Sequence, residues 1–116
     1  MTPRPRTEKH VNAFQPLSPQ QFHILLSLAA QPLHGYGLIL DIAERTNQEM
    51  RLGTGTLYTA IARLEDLEFI EESAADERRR FYRITPLGKA ALKAETERLE
   101  TLVRYAKTKR PAKASR

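Results

Sequence analysis

Cysteine is absent from the 116 residues, which excludes disulfides and thiolate metal sites. Tryptophan is absent too, and aromatic residues make up only 7%. The longest apolar run, residues 24–30, is broken by Ser27 and falls far short of the roughly 20 residues that span a bilayer. No apolar stretch follows the opening Met-Thr-Pro-Arg-Pro-Arg, so no secretory signal and no membrane partner are expected, and a cytoplasmic location is. The Gly53-Thr54-Gly55 segment lacks the spacing and the lysine of a phosphate-cradling loop. No Ser–His–Asp set and no acid pair in a cleft are suggested, so an enzyme is not expected. The three histidines, His10, His23 and His34, lack metal-ligand spacing and read as structural or surface residues. No cofactor and no metal are expected.

Hydrophobic residues make up 41% and charged ones 28%, an ordinary globular balance in a chain long enough for one domain. The net charge is +5, and its placement matters more than its size. Residues 104–116 hold Arg104, Lys107, Lys109, Arg110, Lys113 and Arg116 with no acid, and residues 1–16 hold Arg4, Arg6 and Lys9 against Glu8. The ends are basic and the middle is net negative. Any case for nucleic acid in the middle therefore rests on local clusters.

Residues 1–16, with Pro3, Pro5 and Pro16, read as a flexible arm. Ser18-Pro19-Gln20-Gln21 opens a helix, with Ser18 as N-cap, Pro19 at the first position and Gln21 completing a capping box. That helix runs to about residue 30. Phe22, Leu25, Leu26 and Ala29 make one buried face; Ile24 and Leu28 make a second stripe, for which a second chain is the expected cover. Residues 33–37 read as a turn, followed by a helix over about 37–46 with Ile39, Ile42 and Ala43 inward. Gly53 marks the next break, and Thr54 is expected to cap a third helix running to about residue 67, with Leu57, Ile61 and Leu64 inward. Its other face presents Thr56, Thr59 and Arg63, with Tyr58 and Ala62 beside it, and no acid in its first two turns.

Residues 69–73 and 79–84 read as two strands of a hairpin, with Tyr82 and Ile84 on one face and Phe81 and Arg83 on the other. Thr85-Pro86-Leu87-Gly88 repeats the cap-then-proline signal and opens a long helix to about residue 106. Leu92, Leu99 and Ala106 recur every seven residues, reinforced by Leu102 and Val103, a seam narrow enough for a coiled-coil-like contact. Residues 107–116 read as a disordered basic tail. The order of elements predicts a mainly α (α+β) fold: a winged helix-turn-helix with an N-terminal helix, a two-stranded wing and a long C-terminal dimerisation helix. The expected organisation is an arm (1–16), a DNA-binding domain (17–84), a dimerisation helix (85–106) and the tail (107–116).

Phe22-His23-Ile24-Leu25-Leu26, Pro32-Leu33-His34-Gly35-Tyr36-Gly37, Gly53-Thr54-Gly55-Thr56-Leu57-Tyr58 and residues 79–88 together resemble the PadR family of bacterial transcriptional regulators, over about residues 17–105. The His-Gly-Tyr-Gly and Gly-Thr-Leu-Tyr segments are specific in combination and weak singly. The resemblance implies a winged-helix homodimer that represses transcription, with its last helix packed across the dimer. The chain is similar to the short branch of that family, which lacks a larger C-terminal helical domain.

The candidate DNA contacts are Tyr36, Thr54, Thr56, Tyr58, Thr59, Arg63, Arg78, Arg79 and Arg80. Arg63 is the best base-reading candidate, because arginine can bind guanine through two hydrogen bonds; pairing with Asp66 is its alternative. The arginines at the wing suit phosphate or a minor groove. Their alternative is a solvated hairpin in which they pair with Asp76, Glu77, Glu71 or Glu72. Tyr36 is expected to hold a phosphate at a helix N-terminus, against a ring packed under the helix. The candidate dimer residues are Ile24, Leu28, Leu92, Leu99, Leu102, Val103 and Ala106. The expected partners are a near-palindromic operator duplex and a second copy of the chain. The competing readings are a small-molecule sensor, for which only Phe14, Phe22 and Tyr105 offer rings between subunits, and a protein-interaction module, which would place more apolar bulk on the third helix.

Overall fold

A computed structural model describes residues 16–73 and 78–108 of the chain. Helix α1 (Pro19–Ala30) leads into a two-residue strand β1 (Leu33–His34), helix α2 (Gly35–Arg45), helix α3 (Thr54–Asp66), strands β2 (Ile70–Ser73) and β3 (Phe81–Ile84), and helix α4 (Pro86–Thr108). This is the winged helix-turn-helix that the element order predicts. The arm and the tail fall mostly outside the described residues, as does the wing turn at 74–77.

The start of α1 is fixed by its capping box. The Gln21 backbone N–H donates to Ser18 Oγ at 3.1 Å, and the Ser18 N–H donates to Gln21 Oε1 at 2.9 Å, which satisfies two otherwise orphaned donors. The inward face of α1 differs from the expected one. Ile24, Leu25, Ser27 and Leu28 are buried, Phe22 and Leu26 are half-buried, and Ala29 is exposed. Ile24 and Leu28 retain 0% and 2% of their surface within the single chain, so their assignment to a dimer interface is corrected. The reason is position: α1 runs through the middle of the fold and touches α2, α3, α4 and β3. A helix apolar on two sides is here covered on two sides by its own chain. Leu38, Leu57, Ile61, Leu64, Phe69 and Ile70 complete the core around it. Truncating one of these leucines or isoleucines to alanine costs about 2–5 kcal/mol.

The segment read as a turn contains β1, which pairs antiparallel with β3 through Leu33–Tyr82 and His34–Phe81. The sheet therefore has three strands in the order β1-β3-β2, not two. Helix α2 begins directly after β1, two residues before the expected start. The α2–α3 connection is held by Thr46, whose Oγ1 donates to the Ile42 carbonyl at 2.8 Å and accepts from the Met50 N–H at 3.0 Å. The N-cap of α3 is Gly53, which has no side-chain cap, and Thr54 is the first helical residue rather than the cap.

Thr85 ties the last helix to the rest. Its N–H donates to the Phe69 carbonyl at 2.9 Å, its hydroxyl donates to the Glu68 carbonyl at 2.7 Å, and it accepts from the Gly88 N–H at 3.0 Å. Gly88 is buried, and a Cβ there would overlap the Phe69 carbonyl oxygen. Helix α4 then buries Ala91 and Glu95 against the core, and its last eight residues, 101–108, are all exposed.

Candidate nucleic-acid interface

The polar side of α3 faces away from the core. Thr54, Thr56, Tyr58, Thr59 and Arg63 are exposed while Leu57, Ile61 and Leu64 are buried. Thr56, Thr59 and Arg63, with Gly55 and Ala60, form one wall of a concavity of about 780 Å³ whose other wall is Ser18, Gln20 and Gln21 from the first turn of α1. Among the described residues, no carboxylate lines it. Arg63 has no acidic partner among the described residues, so its guanidinium is available to a ligand, and the alternative pairing with Asp66 is not made. The α1 residues of this wall escaped the sequence reading because Ser18 and Gln21 were accounted for as a cap. Only their polarity, in an otherwise apolar helix, could have pointed to a surface.

A second concavity, of about 460 Å³, lies at the start of α2. It is lined by His34, Gly35, Tyr36, Tyr58, Arg78, Arg79 and Arg80. The fold thus brings five of the nine candidate DNA contacts together here and three in the α3 groove; Thr54 lines neither. The first N–H groups of α2 have no partners within the helix and favour an anion. Tyr36 is 64% exposed, so its ring is not packed under the helix. Tyr58 differs from its neighbours on α3: its hydroxyl reaches back over Gly35, where a Cβ would overlap it. It forms a wall of this basin rather than a projection from α3. His34, absent from the expected contacts, stands at the N-cap without a side-chain cap bond.

The wing arginines divide. Arg79 Nη1 lies 3.3 Å from His34 Nε2, and its guanidinium sits 5.6 Å from the Phe81 ring centre. Arg80 pairs with Glu72 at 3.3 Å and Arg83 with Glu71 at 2.8 Å. Solvated pairing is thus realised at Arg80 and Arg83. Such exposed pairs are worth about 0.2–1 kcal/mol and exchange readily for phosphate. On the opposite flank, Glu65, Glu68, Glu71 and Glu72 share a third concavity. Burial, then the Glu72 charge, raises the Glu65 carboxyl above its ordinary range against the pull of Arg80. That acidic flank repels a polyanion, in contrast to the basic edge.

The seam of α4 lies apart from both concavities. Leu99 and Val103 line, with Phe22, Thr96, Glu100, Arg104 and Lys107, a groove of about 550 Å³ between α1 and α4. Leu102 and Tyr105 are exposed large hydrophobics, Val103 is 52% exposed, and Ala106 is exposed. Leu92 is half-buried on the chain's own core. No helix among the described residues is long and apolar enough to cross a membrane.

The family model for the transcriptional regulator PadR-like family matches residues 24–94. Transcriptional regulator Rv3488 of Mycobacterium tuberculosis is 38% identical over 87 residues, which cover 72% of this chain and 78% of that protein. An uncharacterized 37.1 kDa protein in transposon TN4556 of Streptomyces fradiae is 35% identical over 82 residues; these are 71% of this chain but only 23% of that longer protein. Among solved structures, a transcriptional regulator from Clostridium thermocellum, Cth-833, superposes with a TM-score of 0.70 at 27% identity, over 88% of this chain and 95% of that one. With its winged helix-turn-helix, its basic edge and these relatives, the chain belongs to the PadR-like family of transcriptional regulators.

Proposed function

We propose that the chain is a sequence-specific DNA-binding repressor that works as a homodimer on a near-palindromic operator. The observation that carries this is the continuity of two surfaces. The groove of Thr56, Thr59 and Arg63, lined by no acid among the described residues, and the arginine basin of Tyr36, Arg78, Arg79 and Arg80 both border α3. Inserted in a major groove, α3 presents its hydroxyls and Arg63 to base edges. The basin then holds the adjacent backbone through charge and the α2 amides, positioning the protein without reading sequence. Membership of a family of transcriptional regulators supports the same reading.

Dimer formation through α4 is supported by its last two turns. Residues 101–108 are helical and carry Leu102, Val103 and Tyr105 as exposed apolar side chains, a surface of the kind a second helix covers. A second copy laid along this face covers them. The two copies of α3 would then enter successive major grooves about 34–36 Å apart.

The test is selection of duplexes from a random-sequence library, followed by titration of the selected and scrambled duplexes at two salt concentrations. Preferential, salt-weakened binding to a two-fold-related sequence supports the reading. Equal binding to selected and scrambled duplexes, or none, overturns it.

A further inference from the structure

We propose that Gln20 and Gln21 of α1 are a second grip on DNA, donating through their side-chain amides to phosphates of the strand opposite the one held by the wing basin. This deepens the DNA-binding reading and rests on it. Two observations carry the inference: the order of surfaces around α3, and the direction in which the capping box turns its polar atoms.

Successive residues of a helix are about 100° apart around its axis. Leu57, Ile61 and Leu64 fix the buried side of α3, and Thr59 projects opposite to them. Thr56, Ala60 and Arg63 lie to one side of that ridge and line the larger concavity with Ser18, Gln20 and Gln21. Tyr58 lies to the other side and lines the wing basin. The two concavities therefore flank the ridge of α3. A helix seated in a major groove likewise has one sugar-phosphate backbone on each side. The basin meets one of them, and the α1 wall is placed to meet the other.

The capping box sets the chemistry of that wall. Ser18 Oγ accepts from the Gln21 N–H at 3.1 Å, and Gln21 Oε1 accepts from the Ser18 N–H at 2.9 Å. Both bonds engage acceptor atoms. They leave the Ser18 hydroxyl hydrogen and the Gln21 Nε2 amide, which only donate. The Gln20 carboxamide stands on the same wall. Phosphate oxygens only accept, whereas base edges mix donors and acceptors, so a wall of donors matches the backbone. Arg63, on the facing wall of the concavity, adds positive charge for the same polyanion.

Two substitutions separate a DNA contact from a structural role. Gln21→Glu keeps the shape and the acceptor that completes the capping box, but replaces the remaining amide donor by a carboxylate oxygen. Gln20→Ala removes a donor without adding charge, and alanine is the best helix former. Melting temperature is expected to hold in both. Affinity is expected to fall about tenfold in each, for the selected and the scrambled duplex alike. The salt slope of Gln20→Ala should stay that of the wild type, because an uncharged donor neutralises no phosphate. Duplexes carrying a single neutral methylphosphonate then locate the contact. One such replacement should weaken the wild type and leave both glutamine variants unaffected, and it should lie on the strand opposite the one that Tyr36→Phe marks in the same way. This readout is local, so a general loss of fold cannot imitate it. Wild-type affinity in either glutamine variant, a loss confined to the selected duplex, or a contact on the basin's own strand overturns the role of α1 and leaves DNA binding standing. So does the lack of any phosphate to which both variants are blind. If the wild type binds no duplex at all, the DNA-binding reading falls and this one falls with it.

Discussion

The hydroxyl of Tyr58 lies over the α carbon of Gly35, in the space a side chain would fill. Two segments separated by residues 38–54, His34-Gly35-Tyr36-Gly37 and Gly55-Thr56-Leu57-Tyr58, are therefore two halves of one contact. Gly35→Ala should displace the tyrosine and destabilise the fold by about 1–3 kcal/mol, the usual cost of overpacking. Removing the hydroxyl as well, in Gly35→Ala with Tyr58→Phe, should recover part of the loss. Chemical denaturation of the four proteins of that cycle checks it, and strict additivity would show that the contact carries no energy.

Arg63 projects from α3 without an acidic partner among the described residues. Arg63→Ala should weaken binding to the selected duplex by about 1–3 kcal/mol and leave binding to a scrambled duplex and the melting temperature nearly unchanged. A parallel loss on both duplexes would make Arg63 a phosphate contact instead.

Val103 is half-exposed in the single chain, so Val103→Glu costs the protomer little. In the proposed dimer it places a charge in the seam, as does Leu99→Glu. Sedimentation should show monomers for both, with DNA affinity reduced. A dimer that survives both would move the interface away from α4.

Glu95 is only 1% exposed and is held by Arg98, whose guanidinium donates to both carboxylate oxygens at 2.9 and 2.6 Å. Arg98 is itself partly solvated, which trims the value of the pair. Arg98→Ala leaves a buried carboxylate without that partner and should cost about 1–3 kcal/mol. Glu95→Met in the same background should restore most of it, because an apolar side chain needs no partner. Thermal melts of the three proteins decide the point.

His23 is depressed below the ordinary histidine range, first by burial and then by the charge of Arg45, whose Nη2 lies 3.1 Å from His23 Nδ1. The folded state therefore binds this proton less well than the unfolded chain does. The stability it contributes is fully present above the unfolded value of 6.5 and is lost as pH falls through the lowered folded value. Melting temperature should thus decline more steeply below about pH 6.5 in the wild type than in His23→Gln. Equal slopes would remove His23 from the linkage.

Caps and periodicity were legible because they are local. Ser18 with Gln21, and Thr85 with Pro86, mark helix starts whatever surrounds them. The inward face of α3 followed from Leu57, Ile61 and Leu64 alone. What lay beyond the sequence was decided by neighbours far along the chain. Whether Ile24 and Leu28 face a partner or their own core depends on how many elements surround α1, and no spacing within α1 encodes that. Strand β1 is two residues long and exists only because Tyr82 and Phe81 offer it an edge. At the candidate site, residue types pointed to the arginines and to Tyr36. The contact of His34 with Arg79 was hidden because the two lie 45 positions apart.

Gly88 lets α4 rest directly on the carbonyl of Phe69, and Thr85 bonds the same carbonyl and that of Glu68. The joint between the wing and the long helix therefore has almost no play. If two copies join through α4, each carries its recognition helix on a stiff lever arm. A twist of a few degrees where the levers meet would sweep α3 sideways by a distance that grows with the length of the arm. Control over which DNA spacing is accepted would then sit at the far end of the molecule, in the exposed side chains of the last two turns of α4.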